Sequence, residues 1–154
     1  MEIKKILAPT DFSDYAREGV DCAIGLASQF KADLILLHVV SEELFAVMGE
    51  GATVYPVDEM LQDRRDEMRE FAAQSVRPKL AAGATVKEIV TLGSPFVKII
   101  ETAKSEGVDL IVMSTHGRTG VSHLLIGSVT ERVVRKASCP VLSVRPSGHE
   151  FSLP

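Results

Sequence analysis

The sequence feature that most constrains the fold is a near-continuous apolar run at residues 34–40, L-I-L-L-H-V-V. A strand with this composition is covered on both faces, as in a parallel sheet that lies between helices. His38 interrupts the run, and we interpret it as a hydrogen-bonded structural histidine because buried polar groups have partners. Residues 108–113 form a similar buried strand. Residues 3–9, 85–92 and 141–145 are shorter or more polar strands.

Helical spacing separates these strands. The first helix has an apolar stripe of six residues, Ala16, Val20, Ala23, Ile24, Ala27 and Phe30. It follows a polar turn in which either Ser13 or Asp11 could provide the N-cap. A second helical pattern covers residues 58–80, and Pro78 should kink or shorten that helix near Arg77.

The ends of the later helices have recognisable signals. Gly93-Ser94-Pro95 predicts a helix with Ser94 as its N-cap and Pro95 in its first position. Gly107 provides the C-terminal cap of that helix. The last helix begins near Ser128, and Pro140 stops it.

Strands that alternate with helices predict right-handed crossovers and a mostly parallel sheet. We therefore expect an α/β fold: a Rossmann-like, doubly wound, five-stranded parallel sheet of order 3-2-1-4-5 with helices on both faces. The third strand lies at one edge, and the strand from Val141 to Arg145 is an outer strand. The sequence predicts one domain over residues 1–146 and a frayed tail at residues 147–154.

Composition excludes several classes of function. A net charge of −4 and a sequence pI near 5.6 argue against a nucleic-acid or anionic-membrane surface. No apolar run approaches the ~20 residues that span a bilayer, and the first residues have too short an apolar core for a signal peptide. Cys22 and Cys139 lack the spacing of metal ligands and are expected to be reduced and buried. These features predict a cytoplasmic protein without a protein-held metal site.

The candidate binding segment is residues 113–130, M-S-T-H-G-R-T-G-V-S-H-L-L-I-G-S-V-T. A strand, a glycine-rich loop and a helix N-terminus in succession can hold phosphates through backbone N–H groups. Residues 9–11, Pro-Thr-Asp, follow the first strand, and ligands of such sheets bind beyond strand ends where the winding reverses. Simpler explanations stay open. Ser128 and Glu131 could form a capping box, Gly117 and Gly120 could be turn glycines, and Asp11 could only cap a helix.

Several motifs together resemble the universal stress protein family. These are the opening I-L-A-P-T-D-F-S, the strand ending L-L-H-V, the G-S-P helix start, and the closing S-T-H-G-R-T-G, L-L-I-G-S-V-T-E-R-V and C-P-V-L-S-V-R segments. The resemblance covers about residues 3–145. The ATP-binding branch of that family is characterised by G-x2-G-x9-G-[S/T]. Here Ser114 replaces the first glycine, and Gly117 and Gly127-Ser128 complete the pattern.

The resemblance implies a divided ATP site, with Mg²⁺ held mainly by the phosphates. Pro9, Asp11 and Val39 would surround the adenine, residues 114–120 would wrap the ribose and phosphates, and the helix start would meet the phosphates. The full set implied for the site is Pro9, Thr10, Asp11, Val39, Met113, Ser114, Thr115, His116, Gly117, Arg118, Thr119, Gly120, Gly127, Ser128, Val129 and Thr130. The resemblance also implies a homodimer through the strand from Val141 to Arg145.

Ser114 is the departure from the family pattern. If its position required a positive φ, serine would cost on the order of 1 kcal/mol and weaken ATP binding by roughly fivefold. Three functions therefore remain open. The first is an ATP-binding regulatory module in stress response, and the second is a nucleotide-free dimeric interaction protein of the same fold. The third is a slow ATPase or autophosphorylating enzyme, although the sequence places no general base.

Overall fold

Five parallel strands form one sheet in the order β3-β2-β1-β4-β5. Their bounds are β1 Lys5–Pro9, β2 Asp33–Val40, β3 Val86–Leu92, β4 Leu110–Ser114 and β5 Val141–Val144. All four pairings are parallel. The predicted strand order and the edge positions of the third and fifth strands are thus confirmed.

The computed structural model describes residues 2–41, 56–116 and 127–145. Gly117, Arg118, Thr119 and Gly120 lie outside the described residues, and so do the connection at 42–55 and the predicted tail at 147–154. Among the described helices, none is long and apolar enough to cross a membrane.

Four α-helices cover the two faces of the sheet. They are α1 Asp14–Phe30, α2 Val57–Phe71, α3 Pro95–Glu106 and α4 Ser128–Lys136. Helices α1 and α2 pack on one face, where Val20, Ile24 and Met68 join Leu34 and Leu36 in a buried cluster. Helices α3 and α4 pack on the other face through a second cluster. The expectation of helices on both faces is therefore confirmed.

The winding of the sheet reverses between β1 and β4. These strands are neighbours, with Ile6 opposite Leu110 and Leu7 opposite Ile111. The helix that follows β1 packs on one face and the helix that follows β4 packs on the other. The chain therefore leaves the two carboxyl ends in opposite directions and opens a crevice between them, which is the usual ligand position in such sheets.

The capping residues predicted for α1 and α3 agree with the structure in position but not in every hydrogen bond. Ser13 is the N-cap of α1, and its side chain accepts a hydrogen bond from the Ala16 N–H (3.2 Å). Gly107 caps α3 with a left-handed φ of 63°. Ser94 occupies the N-cap position of α3, with Pro95 next, but its side chain makes no capping hydrogen bond. The predicted position of Ser94 is correct, whereas its capping bond is not formed.

The segment predicted as one helix over residues 58–80 changes character twice. The α-helix ends at Phe71, a π-helical segment follows at Ala72–Val76, and a 3-10 turn occupies Arg77–Lys79. Pro78 has no N–H to donate to a helical ladder, although Arg77 before it keeps an α conformation (φ −54°, ψ −40°). The regular ladder therefore cannot continue to Leu80. The predicted shortening is confirmed, but the α-helix ends several residues earlier than expected.

Two predictions of burial need correction. Phe30 is 45% exposed, because it is the last residue of α1 and the chain turns away at Lys31. Ala32 is buried in its place. Cys22 and Cys139 are both free thiols but only half-buried. The burial that Cys139 does have raises the pKa of its thiol, which disfavours the reactive thiolate.

Candidate functional site

The buried polar side chains of the described residues cluster at one end of the sheet. They are Thr10, His38, Ser114, Thr115 and Thr130, each between 3% and 7% exposed. Thr10 follows β1, His38 lies near the end of β2, Ser114 and Thr115 lie at the end of β4, and Thr130 lies in the first turn of α4. Burial of polar groups is unfavourable unless hydrogen bonds compensate for it. The concentration of buried polar side chains at this end of the sheet makes it the candidate functional site.

The turn after β1 is held by short-range hydrogen bonds. The Thr10 N–H donates to the Leu37 carbonyl (2.8 Å) and so extends the pairing of β1 with β2. Asp11 Oδ1 accepts from both the N–H (3.0 Å) and the hydroxyl (2.5 Å) of Ser13. Ser13 itself caps α1. Asp11 is thus not the N-cap of the helix but the residue that orients the N-cap, and its carboxylate is fixed at the crevice.

His38 has the structural role that the sequence predicted. Its ring Nδ1 lies 2.8 Å from the carbonyl oxygen of Thr10, and both residues are buried. The ring of Phe12 packs against the His38 ring with a centroid distance of 4.5 Å. His38 therefore connects the end of β2 to the turn that carries Asp11.

The start of α4 is attached directly to the end of β4. The Thr130 hydroxyl donates to the Ser114 carbonyl (2.9 Å), and the Gly127 N–H donates to the Thr115 carbonyl (2.7 Å). The Thr115 N–H in turn donates to the Val144 carbonyl (2.8 Å) of β5. These bonds fix the first turn of α4 beside the crevice.

Gly127 is required at its position by space. A Cβ atom built on Gly127 would lie 2.8 Å from the Thr115 carbonyl oxygen, a backbone atom that cannot move aside like a side chain. The backbone of Gly127 (φ −64°, ψ 150°) is accessible to any residue, so conformational freedom is not the reason for glycine. The close approach of α4 to β4 depends on the missing side chain.

The capping-box explanation for Ser128 is wrong. The N-cap of α4 is Gly127, Ser128 is the first helical residue, and no side chain in the described part of the chain caps this helix. Glu131 instead pairs with Arg135 (2.9 Å), and its N–H donates to the Gly127 carbonyl. The first N–H groups of a helix lack intrahelical partners. The N–H groups of Ser128, Val129 and Thr130 are therefore the donors that α4 presents at its start.

Ser114 does not have the strained backbone that its motif position suggested. It is the last residue of β4, and the described non-glycine residues with a positive φ are Phe12 and Lys31. Its hydroxyl accepts a long hydrogen bond from the His116 N–H (3.3 Å). The cost expected for serine in a left-handed conformation therefore does not apply here.

The structure brings the described candidate residues to the carboxyl edge of β1, β2 and β4. Pro9 ends β1 opposite Leu37, and Val39 lies two residues further along β2. Val39 and Met113 belong to the face that carries α3 and α4. His116 is half-buried beside Thr115, whose hydroxyl lies 2.9 Å from the His116 Nδ1.

Three residues of this edge were missed by the sequence reading. Phe12 adopts a left-handed φ of 63° between Asp11 and the N-cap of α1. The ring of Tyr15, in the first turn of α1, faces the ring of His116 at 6.4 Å. A Cβ on Gly19 would lie 2.8 Å from the Ser114 nitrogen. A glycine inside a helix, beside the apolar stripe, was the one available signal for this close packing.

The donor set suits a phosphate better than a protein-held cation. Within residues 2–41, 56–116 and 127–145, no group of three or more histidine, cysteine or carboxylate side chains could hold a metal ion. Backbone N–H groups at a helix start and nearby hydroxyls are instead typical ligands of anionic oxygens. The described residues thus supply donors of the kind that anionic oxygens accept.

The fold defines a doubly wound α/β protein whose switch point lies between the carboxyl ends of β1 and β4. The chain belongs to the universal stress protein family, whose family profile matches residues 2–145. It is 34% identical over 153 residues to universal stress protein MJ0577 of Methanocaldococcus jannaschii, covering 92% of this chain and 94% of that protein. It is also 31% identical to the universal stress protein YxiE of Bacillus subtilis, covering 92% and 98%.

Solved structures share the architecture. The MJ0577 structure has a TM-score of 0.76 at 33% identity and covers 96% of this chain and 99% of its own. A universal stress protein in complex with cAMP has a TM-score of 0.68 at 23% identity, covering 94% and 98%. The Archaeoglobus fulgidus protein in complex with dAMP has a TM-score of 0.63 at 22% identity, covering 93% and 98%. The last two likenesses establish the fold alone.

Proposed function

We propose that this protein binds ATP in the crevice between the ends of β1 and β4 and acts as a nucleotide-dependent regulatory module in stress response. The observation that carries the proposal is the start of α4. Its three leading N–H groups have no capping side chain among the described residues, and Gly127 brings them against the end of β4. This is the geometry in which helix starts bind phosphate.

The adenine would lie at the β1 side of the crevice. Asp11 is fixed there by Ser13, and a carboxylate accepts hydrogen bonds from an exocyclic amine. Pro9 and Val39 are half-buried at neighbouring strand ends and offer apolar surface to a base. The base and the phosphates would then bridge the two strand ends.

The phosphates would lie at the β4 side. Ser128, Val129 and Thr130 would donate N–H groups to them, and Arg118, which lies between β4 and α4 in the sequence, would add a positive charge. Mg²⁺ would be held mainly by the phosphates. Glycine at position 127 fits this role because its missing Cβ lets the start of α4 lie against the Thr115 carbonyl at the end of β4.

Support also comes from relatives of the same fold. The universal stress proteins in complex with cAMP and with dAMP both hold an adenine nucleotide. A regulatory role is favoured over turnover because the described crevice supplies donors and hydroxyls, and its carboxylate Asp11 is already engaged by Ser13. We therefore propose at most slow ATP hydrolysis or autophosphorylation. Turnover that is lost in Asp11→Asn would favour an enzyme instead.

The proposal predicts that purified protein carries or binds adenine nucleotide. Protein denatured after purification should release adenine nucleotide into the supernatant, and stripped protein should bind ATP with Mg²⁺ in calorimetry. Calorimetry with GTP provides the control for the base. If the protein released no nucleotide and bound no ATP, it would be a nucleotide-free interaction protein of the same fold.

We also propose a homodimer formed through β5. This strand is at an open edge of the sheet, where backbone groups are usually covered or paired. Leu142 on β5 is 40% exposed, so a second copy of the strand could cover its side chain. Antiparallel pairing of two copies of β5 would satisfy the edge and bury Leu142.

The dimer has a direct test. Analytical ultracentrifugation at micromolar concentration should show a dimer for the wild type and a shift towards monomer for Leu142→Lys, which places a charge in the interface. Phe30→Lys is the matched control, because Phe30 is similarly exposed but lies on α1. A monomeric wild type, or equal behaviour of both variants, would contradict the proposed interface.

A further inference from the structure

The turn after β1 contains a contact that nucleotide binding does not by itself explain. Buried His38 approaches the Thr10 carbonyl with its ring Nδ1 at 2.8 Å. A carbonyl oxygen can only accept a hydrogen bond, so Nδ1 carries the hydrogen and donates it. The bond therefore fixes the tautomer of the ring and holds a peptide group immediately before Asp11.

Phe12 continues this arrangement on the other side of Asp11. Its N–H donates to the Thr10 hydroxyl (3.1 Å), and its ring packs on the His38 ring at 4.5 Å. The Phe12 ring also meets Phe71 of α2 edge-on at 5.8 Å. Thr10 and Phe12, the two neighbours of Asp11, are thus both attached to His38.

The backbone of Phe12 shows that these contacts constrain the turn. Its φ of 63° lies in the left-handed region, which is unfavourable for a residue with a Cβ atom. Such a conformation persists only where surrounding contacts over-determine it. Lys31 has a similar φ of 55°, but it lies at the C-cap of α1, where the left-handed conformation is common. Phe12 has no such helix-end explanation.

We propose that His38 is a positioning residue for the nucleotide site: through Thr10 and Phe12 it holds the strained turn that presents the Asp11 carboxylate to the base. This inference rests on the proposed function. In this proposal His38 acts through the turn and not by contact with the base. Its effect on affinity is transmitted by the shape of the turn.

The test compares two substitutions of similar size. In His38→Asn the side-chain amide can place a donor near the position of the ring Nδ1, whereas His38→Leu has no donor. Calorimetry with ATP and Mg²⁺ should show about tenfold weaker binding for His38→Leu, because the loosened turn must then be ordered when the base binds. His38→Asn should recover most of that affinity. Equal affinities of His38→Leu and the wild type would overturn the proposal.

A second pair of variants keeps the test informative if His38→Leu folds poorly. Phe12→Gly accepts the left-handed backbone but removes the ring that packs on His38. Lys31→Gly is its control, since it changes a residue of the same backbone conformation at the far end of α1. We expect weaker ATP binding in Phe12→Gly and unchanged binding in Lys31→Gly. Unchanged binding in both would also overturn the proposal.

A readout without nucleotide separates this inference from the proposed function. In ¹H–¹⁵N spectra of the ligand-free protein, the amides of Phe12 and Ser13 should shift or broaden in His38→Leu and stay near their wild-type positions in His38→Asn. If the wild type bound no nucleotide but the spectra followed this pattern, the proposed function would fail, and only the part of this inference in which His38 holds the shape of the turn would stand. Spectra in which both variants behave alike would sink the positioning role alone.

Discussion

Replacing Gly127 with valine is expected to weaken ATP binding by about a hundredfold, and alanine by about tenfold. The Cβ of either residue would lie 2.8 Å from the Thr115 carbonyl oxygen, inside any normal contact distance. Overpacking of this kind typically costs about 1–3 kcal/mol, and 1.4 kcal/mol corresponds to a tenfold change in affinity. Calorimetric titration of both variants with ATP and Mg²⁺ measures the effect.

Because the clash lies at the start of α4, we expect it to lower the affinity for ATP more than the stability of the fold. Thr115 cannot yield easily, because its own N–H is bonded to Val144 of β5. The start of α4 must move instead, and this breaks the bond from the Gly127 N–H to the Thr115 carbonyl. The N–H groups of Ser128 to Thr130 then no longer meet the phosphates in the geometry that the crevice provides. Helix α4 keeps its packing further along, through Val133.

Gly25→Ala is the matched control for both glycine variants. Gly25 is an exposed residue of α1, and a Cβ there would meet no atom within 4 Å. ATP affinity should therefore be unchanged in Gly25→Ala. If Gly127→Val retained wild-type affinity while circular dichroism showed an intact fold, the phosphates could not bind at the start of α4.

Most of the sheet could be predicted because its signals are local. The buried runs of β2 and β4, the glycine cap at Gly107 and the proline at position 95 each depend on a few consecutive residues. The predictions were wrong where residues that are distant in sequence but close in space determine burial or the end of a helix. Phe30 fits the apolar stripe of α1 by spacing, but the stripe ends where the chain turns at Lys31. The early end of α2 is set by the π-helical segment that buries Ala72 and Val76.

The candidate site also has features that the sequence predicted and features that it did not. The residue types at the ends of β1 and β4 predicted a phosphate crevice, and the structure gathers the buried polar residues there. Two features could not be deduced from residue types. By residue type, Ser128 and Glu131 allow a capping box, whereas in the structure the N-cap is Gly127, one residue earlier, where it contacts Thr115. The strained Phe12 depends on His38 and Phe71, which are distant in sequence.

Gly19→Ala is expected to lower the free energy of unfolding by about 1–3 kcal/mol, although alanine is the better helix former. In an exposed helix interior the same change would stabilise the protein by up to about 1 kcal/mol. At Gly19 the new Cβ would lie 2.8 Å from the Ser114 nitrogen and 3.3 Å from the Met113 carbonyl carbon. These are backbone atoms at the end of β4, where Met113 and Ser114 pair with β5, so α1 must move away from the sheet.

Urea denaturation of Gly19→Ala and Gly25→Ala separates the effect of helix propensity from the effect of packing against β4. Both changes lie in α1, but only the Cβ at position 19 would meet the sheet. The midpoint should fall for Gly19→Ala and rise for Gly25→Ala. A rise in both would mean that α1 does not pack against the end of β4 as closely as the structure shows. The movement of α1 should also weaken ATP binding, since the helix follows directly from the turn that carries Asp11. Loss of stability with unchanged affinity would instead place the nucleotide away from that turn.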